Sequence, residues 1–396
     1  MILSLPAIQT IDYFLKRDVT KLYIAVAIRN FGIGLVLIFE PIYLYLHFGN
    51  SLPSTFLYFA SVYTTLALLI PFAGKALARI GVTKAILLSF LFSLSYYVLL
   101  IFLDVSLFLI PLAALLSGIA MALFWPAFHV SFTRLSSKDS RGGEVGRVNV
   151  AMFVPVVASP AVGGWILALF GYPVLFTVVL IVFITAAIPL LYSKEPKETY
   201  TDSYADAWKR VVSKKNALTN IGFASEGIEL LLQYMMWPLF LFLLGISFAQ
   251  MGQITFVALA ASMAFLLYVG KVSDTQDRSW LLGVGAMWTA AAWILKYFVR
   301  LPFDALLAHT VYRISRGALS VPFQTVLYER AAEKGEEADE FIMRVEMVLN
   351  SARGIFLVLL ALVFFLFPDL GINSVFLVGA VLALGVILVR RRPQEK

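Results

Sequence analysis

Residues 173–192 read PVLFTVVLIVFITAAIPLLY, twenty positions without one charged side chain. At about 1.5 Å per residue a helix of this length spans the ~30 Å hydrocarbon core of a bilayer. Working outward, about twelve such stretches, this one included, follow one another between Leu22 and Val389, parted by short polar breaks. The chain is 61% hydrophobic and 14% charged, with a mean hydropathy of +0.88. A globule of that composition would be insoluble in water, whereas lipid solvates it. The reading is an all-α polytopic membrane protein with twelve transmembrane helices.

We place the spans at about 22–46, 53–74, 83–103, 106–128, 148–170, 173–192, 218–244, 248–270, 280–299, 303–327, 341–366 and 371–389. Loops then alternate sides, and 25 of the 31 Lys and Arg residues fall on the side that holds both termini, against Lys296 and Arg300 on the other. The positive-inside rule makes the basic side cytoplasmic. This one-sidedness accounts for the net charge of +7 without a nucleic-acid partner. The first fifteen residues lack a basic n-region and a small-residue cleavage site, so no removable signal peptide is expected, and the cell membrane is the expected location. Cysteine is absent, which excludes disulfides, thiol nucleophiles and Cys-based metal sites.

The sequence repeats at an offset of 196 or 197 positions. Pro41-Ile42-Tyr43-Leu44-Tyr45-Leu46 falls on Pro238-Leu239-Phe240-Leu241-Phe242-Leu243, Gly74-Lys75 on Gly270-Lys271, Pro126 through Arg134 on Pro322 through Arg330, and Arg147-Val148-Asn149 on Arg344-Val345-Glu346. Four matches in register imply a parallel duplication. We expect an N-terminal six-helix bundle over 1–192, a linker over 193–217 and a C-terminal six-helix bundle over 218–396. In the linker, Thr201 or Asp202 is expected to cap a short helix. Its Tyr204, Trp208, Val211 and Val212 would share one face, with Lys209, Arg210, Lys214 and Lys215 turned to water or headgroups.

Over essentially its whole length the chain resembles the major facilitator superfamily. Gly74-Lys75-Ala76-Leu77-Ala78-Arg79-Ile80-Gly81 is similar to that family's glycine–acidic–basic loop motif, with Ala78 where Asp is usual; Gly270-Lys271-Val272-Ser273-Asp274 restores the acid. Ser159-Pro160-Ala161-Val162-Gly163-Gly164 resembles an element common in the family's exporters, and Arg141-Gly142-Gly143-Glu144-Val145-Gly146 its basic loop before the fifth helix. The resemblance implies a secondary transporter working by alternating access, with export slightly favoured. Physically, Gly163 and Gly164 permit close helix approach in lipid, and Pro155 and Pro160 can bend the fifth span. Gly74, Gly270 and Asp274 would belong to a gate on the cytoplasmic side.

Among the charged residues inside the spans, seven are singled out: Arg29, Glu40, Glu226, Glu229, Arg313, Arg316 and Arg353. A charge at the bilayer centre costs at least ~2.5–3.5 kcal/mol, so each needs a partner or a hydrated cavity. Glu226, Glu229 and Gln233 recur at helical spacing on one stripe; His309, Arg313, Arg316 and Ser320 form a second, and Glu346, Asn350 and Arg353 a third. In the family resembled, helices 1, 4, 7 and 10 line the central cavity, which would bring the first two stripes together. Two readings stay open: Glu226 or Glu229 neutralises Arg313 or Arg316 as a structural pair, or the same groups bind an anionic solute and carry a proton. The offset maps Arg29 onto Glu226, and we expect these two to meet when the cytoplasmic side closes. Glu40 is read as a locally hydrated charge. His47 and His129 are read as interfacial, and His309 as hydrogen-bonded packing or as a relay to Glu229. Trp125, Tyr234 and Trp237 are candidates to line a cavity for an amphiphilic solute.

The expected partners are a small anionic or amphiphilic solute, the lipid bilayer and H+ as coupling ion, with no cofactor, no metal and a monomeric state. No Walker-type loop supports a primary pump, and no His-Glu-x-x-His or Gly-x-Ser-x-Gly constellation supports an enzyme. The competing classes are a non-transporting sensor or assembly protein of the same fold and a membrane-embedded lipid enzyme.

Overall fold

The computed structural model describes residues 18–135, 141–192, 200–273 and 278–390, and among them it contains helices and connecting turns but no strand. Helix α1 runs in two segments, Asp18–Val36 and Glu40–His47, bent by 41°. Pro41 opens the second segment, where its missing N–H would have had no helical partner anyway. Next come α2 (Leu52–Ile80), α3 (Val82–Ile101) and α4 (Leu109–Leu135). Ser51 caps α2 by accepting from the Ser54 N–H at 3.3 Å. Gly81, the last residue of the motif-like loop, has φ +87° and reverses the chain between α2 and α3 within one residue.

Arg141–Ala187 is one helical run that Gly171, with φ +78°, divides into α5 (141–170) and α6 (172–187), at the break expected between spans five and six. Helix α7 starts as Ala217–Leu231, passes through a π turn at Leu232–Met236 and ends as Trp237–Leu243. The remaining helices are α8 (Phe248–Ser273), α9 (Arg278–Tyr297), α10 (Pro302–Glu333), α11 (Ala338–Leu366) and α12 (Val375–Gly385). Eight helical segments among the described residues are long and apolar enough to cross a membrane, nine when the bent halves of α1 are joined. One of them, Pro155–Tyr192, contains the Gly171 break. Helices α9 and α10 fall short of that apolarity because they carry Lys296, His309, Arg313 and Arg316. The architecture is compatible with the twelve crossings expected.

Small residues set the spacing at α5. A Cβ built on Gly163 would lie 2.0 Å from the Leu35 carbonyl oxygen of α1. One on Gly164 would lie 2.5 Å from the Phe248 carbonyl oxygen of α8, and one on Gly252 would lie 2.3 Å from that of Pro160. Helix α5 is thus wedged between α1 and α8 at backbone contact, the packing that replaces the hydrophobic effect as glue in lipid.

The linker corrects two expectations. Its helix, Tyr204–Val212, is capped by Ser203, whose oxygen accepts from the Asp206 N–H at 3.2 Å, and not by Thr201 or Asp202. Thr201 instead gives both its N–H and its hydroxyl to Glu340 Oε1 on α11, and Asp202 pairs with Arg210 at 2.8 Å. Arg210 therefore turns to carboxylates, reaching Glu337 at 3.3 Å as well. Val212 is 75% exposed, whereas Tyr204 packs against Phe72. Gly74 lets the Tyr200 ring lie directly on α2, where a Cβ would stand 2.9 Å from it.

Candidate functional site

The polar stripes of α7 and α10 meet in a buried network. Arg316, on α10, donates through Nη2 to Glu226 Oε1 on α7, and its Nε lies 3.3 Å from Glu229 Oε2. One guanidinium serves two carboxylates that are 3% and 0% exposed. Glu229 Oε1 also accepts from the indole N–H of Trp293 on α9 and from the Tyr312 hydroxyl on α10, each at 2.8 Å. Glu226 has no such additional donors, and its Oε2 is a buried oxygen without a hydrogen-bond partner.

Arg313 stands apart from this pairing. It is half-buried, its guanidinium carbon lies 5.7 Å from the centre of the Tyr234 ring, and its buried Nε has no hydrogen-bond partner. Among the described residues no carboxylate pairs with it. The choice between Arg313 and Arg316 as the glutamates' cation is thus made by geometry. Arg353 of α11 donates to the Gly227 carbonyl at 2.9 Å and to Asn350 Oδ1 at 2.8 Å, and its guanidinium lies 5.3 Å from the Tyr63 ring of α2.

Gln233 holds a residue that sequence reasoning missed. The Lys296 ammonium donates to Gln233 Oε1 and lies 3.5, 4.1 and 4.6 Å from the ring centres of Tyr312, Trp293 and Trp237. Lys296 had been counted with the outer loops, but it is fully buried. The signal for it was the spacing Trp293-x-x-Lys296, which puts ring and ammonium on one helical face.

His309 is stacked on Trp237 at 5.6 Å and on Tyr312 at 6.2 Å, with neither ring nitrogen hydrogen-bonded. It packs by its ring rather than by hydrogen bonds. Trp237, 1% exposed, is part of this core and does not line an open cavity.

The remaining candidates are dispersed. Arg29 places its guanidinium carbon 3.4 Å from the centre of the Phe124 ring and donates to Asn30, so it is not paired with Glu226. Glu40 accepts from the Tyr96 hydroxyl at 2.8 Å rather than standing as a free hydrated charge. His47 contacts Asp104 at 2.8 Å. His129 of α4 shares a hydrogen bond of 2.8 Å with the Tyr328 hydroxyl of α10 and lies 3.3 Å from Glu346 of α11, which joins α4 to the last third of the chain. Pro160, Gly163 and Gly164 lie at the α5 contacts described above. Gly270 lies in the last turn of α8, and Asp274 lies outside the described residues.

Chemically, the arrangement offers two glutamates sharing one cation, a caged ammonium beside them and an arginine with no counter-ion among the described residues. The sequence profile described as Major Facilitator Superfamily matches residues 22–338. No curated protein matches the sequence. Among solved structures the chain is similar to the nucleoside transporter NupG, with a TM-score of 0.70 and 14% identity over 94% of this chain and 98% of that one. It is likewise similar to the human organic anion transporter MFSD10 (TETRAN), with a TM-score of 0.70 and 13% identity over 95% of this chain and 99% of that one.

Proposed function

The chain belongs to the Major Facilitator Superfamily, and on that premise we propose that it moves a small anionic solute across the membrane by alternating access, driven by protons. In this reading residues 1–192 and 218–396 form two bundles that rock about a site between them. The observation that carries the anionic reading is Arg313. Arg316 pairs with both buried glutamates, which leaves Arg313 half-buried beside Tyr234 with no carboxylate paired to it among the described residues. A guanidinium offers a planar fork to a carboxylate or phosphate, and the Tyr234 ring offers an apolar surface to the rest of such a solute. Proton exchange is assigned to the buried network around Glu226 and Glu229, because it is there that charge is most expensive to hide. The helix α5 resemblance favours export, and the basic side of the chain is taken as cytoplasmic.

The test is flux in proteoliposomes under an imposed pH gradient, with a panel of labelled mono- and dicarboxylates, organic phosphates, nucleosides and amphiphilic anions. Accumulation of at least one anion is expected, and Arg313→Gln should lower its uptake by about 10–100-fold, as expected when a charged hydrogen bond to the solute is lost. Movement of no solute in the panel would overturn the transport reading. Equal uptake by Arg313→Gln and the parent would overturn the anion site.

A further inference from the structure

Within the buried network the three ionisable kinds of group are not equally satisfied. Glu229 has two hydrogen-bond donors on one oxygen and a guanidinium beside the other. Glu226 holds the same guanidinium. Lys296 has one neutral acceptor, Gln233 Oε1, and three aromatic rings. No carboxylate lies within ion-pair distance of its ammonium among the described residues. Its compensation comes from a neutral acceptor and ring faces, and, unlike an arginine, a lysine can shed its charge.

The rings that surround Lys296 are also the groups that reach Glu229. Trp293 and Tyr312 turn their faces to the ammonium and give their N–H and O–H to the carboxylate. A protonated Lys296 is stabilised by the ring faces and by the nearby negative charge. A neutral Lys296 fits the same apolar box without an unpaired charge. The cage therefore suits both protonation states, whereas loss of charge at Glu226 or Glu229 would leave Arg316 facing fewer anions. Lys296 also lies in the last turn of α9, one residue before its end at Tyr297.

We propose that Lys296 is the group that gains and loses the coupling proton, with Glu229 as the counter-charge that the cage connects to it. The proposal rests on the transport reading above and names the exchanging member of that network. Among the described residues the ionisable groups around Lys296 are Glu229 on α7 and His309, Tyr312 and Arg313 on α10, with Arg316 beyond Glu229. Helix α12 contributes the Phe376 ring against Trp293, and from Val375 to Val389 it carries no ionisable side chain.

Two of the seven tryptophans flank Lys296, so its protonation is readable as a pH-dependent change in indole emission from the purified protein in liposomes, with no solute present. The parent should show one transition, and Glu229→Gln should retain a transition. Lys296→Met, which is permanently neutral, and Lys296→Arg, which is permanently charged, should both be flat and lie at opposite ends of the parent's range. Lys296→Arg keeps a cation in the cage, so it serves where Lys296→Met fails to fold. In the flux assay a gradient of about one pH unit stores about a tenfold accumulation per proton, and Lys296→Arg should lose that stimulation while retaining solute exchange without a gradient. A transition that persists in Lys296→Arg, or one that only Glu229→Gln removes, would overturn the assignment. Flat emission in the parent would do so too. Absence of flux for every solute would overturn the transport reading, while the solute-free titration still decides whether Lys296 exchanges a proton.

Discussion

Replacing Arg316 by Met removes the guanidinium paired with both Glu226 and Glu229, and the structure says how the loss is divided. Breaking a buried ion pair by deleting one partner typically costs ~3–5 kcal/mol, because the remaining charge stays buried without compensation. Glu229 would keep the Trp293 and Tyr312 donors. Glu226 would keep no hydrogen-bond donor among the described residues: Arg316 is its donor, and its other oxygen already lacks one. Most of the penalty should therefore fall on Glu226. The double variant Arg316→Met/Glu226→Gln removes that charge and should recover about 1–3 kcal/mol relative to the sum of the single changes. Arg316→Met/Glu229→Gln should recover less. The measurement is a pair of double-mutant cycles on unfolding in mixed micelles, followed by tryptophan emission and far-UV circular dichroism. Additivity within about 0.5 kcal/mol in the Glu226 cycle, or larger recovery in the Glu229 cycle, would refute the division.

Two further outcomes follow from local geometry. At Gly163 and Gly164 a methyl group would stand 2.0 and 2.5 Å from backbone oxygens of α1 and α8. Because backbone cannot give way as a side-chain tip can, each Ala substitution should cost ~1–3 kcal/mol of stability, with Gly163→Ala the worse. The same unfolding assay checks it, and parent-like midpoints would refute the close-packing account. In the linker, the Ser203 hydroxyl and then Lys209 hold the Asp206 carboxyl below the usual range. A group whose folded pKa is depressed stabilises above its unfolded value, about 3.9, and that contribution is lost as pH falls through the folded value. Amide exchange across Tyr204–Val212, corrected for intrinsic rate, should therefore accelerate below about pH 4, and Ser203→Ala should weaken the dependence. Protection that ignores pH would count against the Ser203–Asp206–Lys209 arrangement.

What the sequence could show depended on whether the signal was local. The break at Gly171 follows from turn chemistry and lies between spans five and six as expected, and the eight or nine segments apolar enough to cross among the described residues are compatible with the twelve expected; the bend before Pro41 was not anticipated. Lys296 was missed because a charge at a helix end looks like a loop residue. Only the neighbouring α7 and α10 show that it points into protein. The expected meeting of Arg29 and Glu226 came from the repeat, but a repeat equates positions rather than opposing them. Each of the two finds its partner within its own part of the chain: Arg29 on Phe124, Glu226 on Arg316. His309 was read through its nitrogens, whereas packing against Trp237 and Tyr312 uses its ring. The linker cap shifted to Ser203 because Thr201 and Asp202 are claimed by Glu340 and Arg210, contacts with no local sequence signature.

The character of the contacts also bears on how the proposed bundles would move. The strongest buried polar contacts stay within one part: Arg316 with Glu226 and Glu229, and Tyr312 and Trp293 with Glu229, all lie between residues 226 and 316. Contacts that cross between the parts are of another kind. His129 meets Tyr328 and Glu346 through a half-buried imidazole, and Arg353 meets Tyr63 as a cation over a ring. Other crossings are glycine against backbone, as at Gly164 and Phe248, or ring against ring, as at Phe56 and Phe364. Breaking a fully buried ion pair costs several kcal/mol, whereas a half-buried histidine contact or a cation over a ring is worth on the order of 1 kcal/mol. These contacts lie along the seam between α2, α4 and α5 on one side and α8, α10 and α11 on the other. In the proposed alternating-access reading, such contacts would be the ones exchanged as the bundles rock. The same contrast supports assigning proton exchange to the C-terminal part, since a change of charge at Lys296 would be felt first by the network around Glu229 and only through it by the seam.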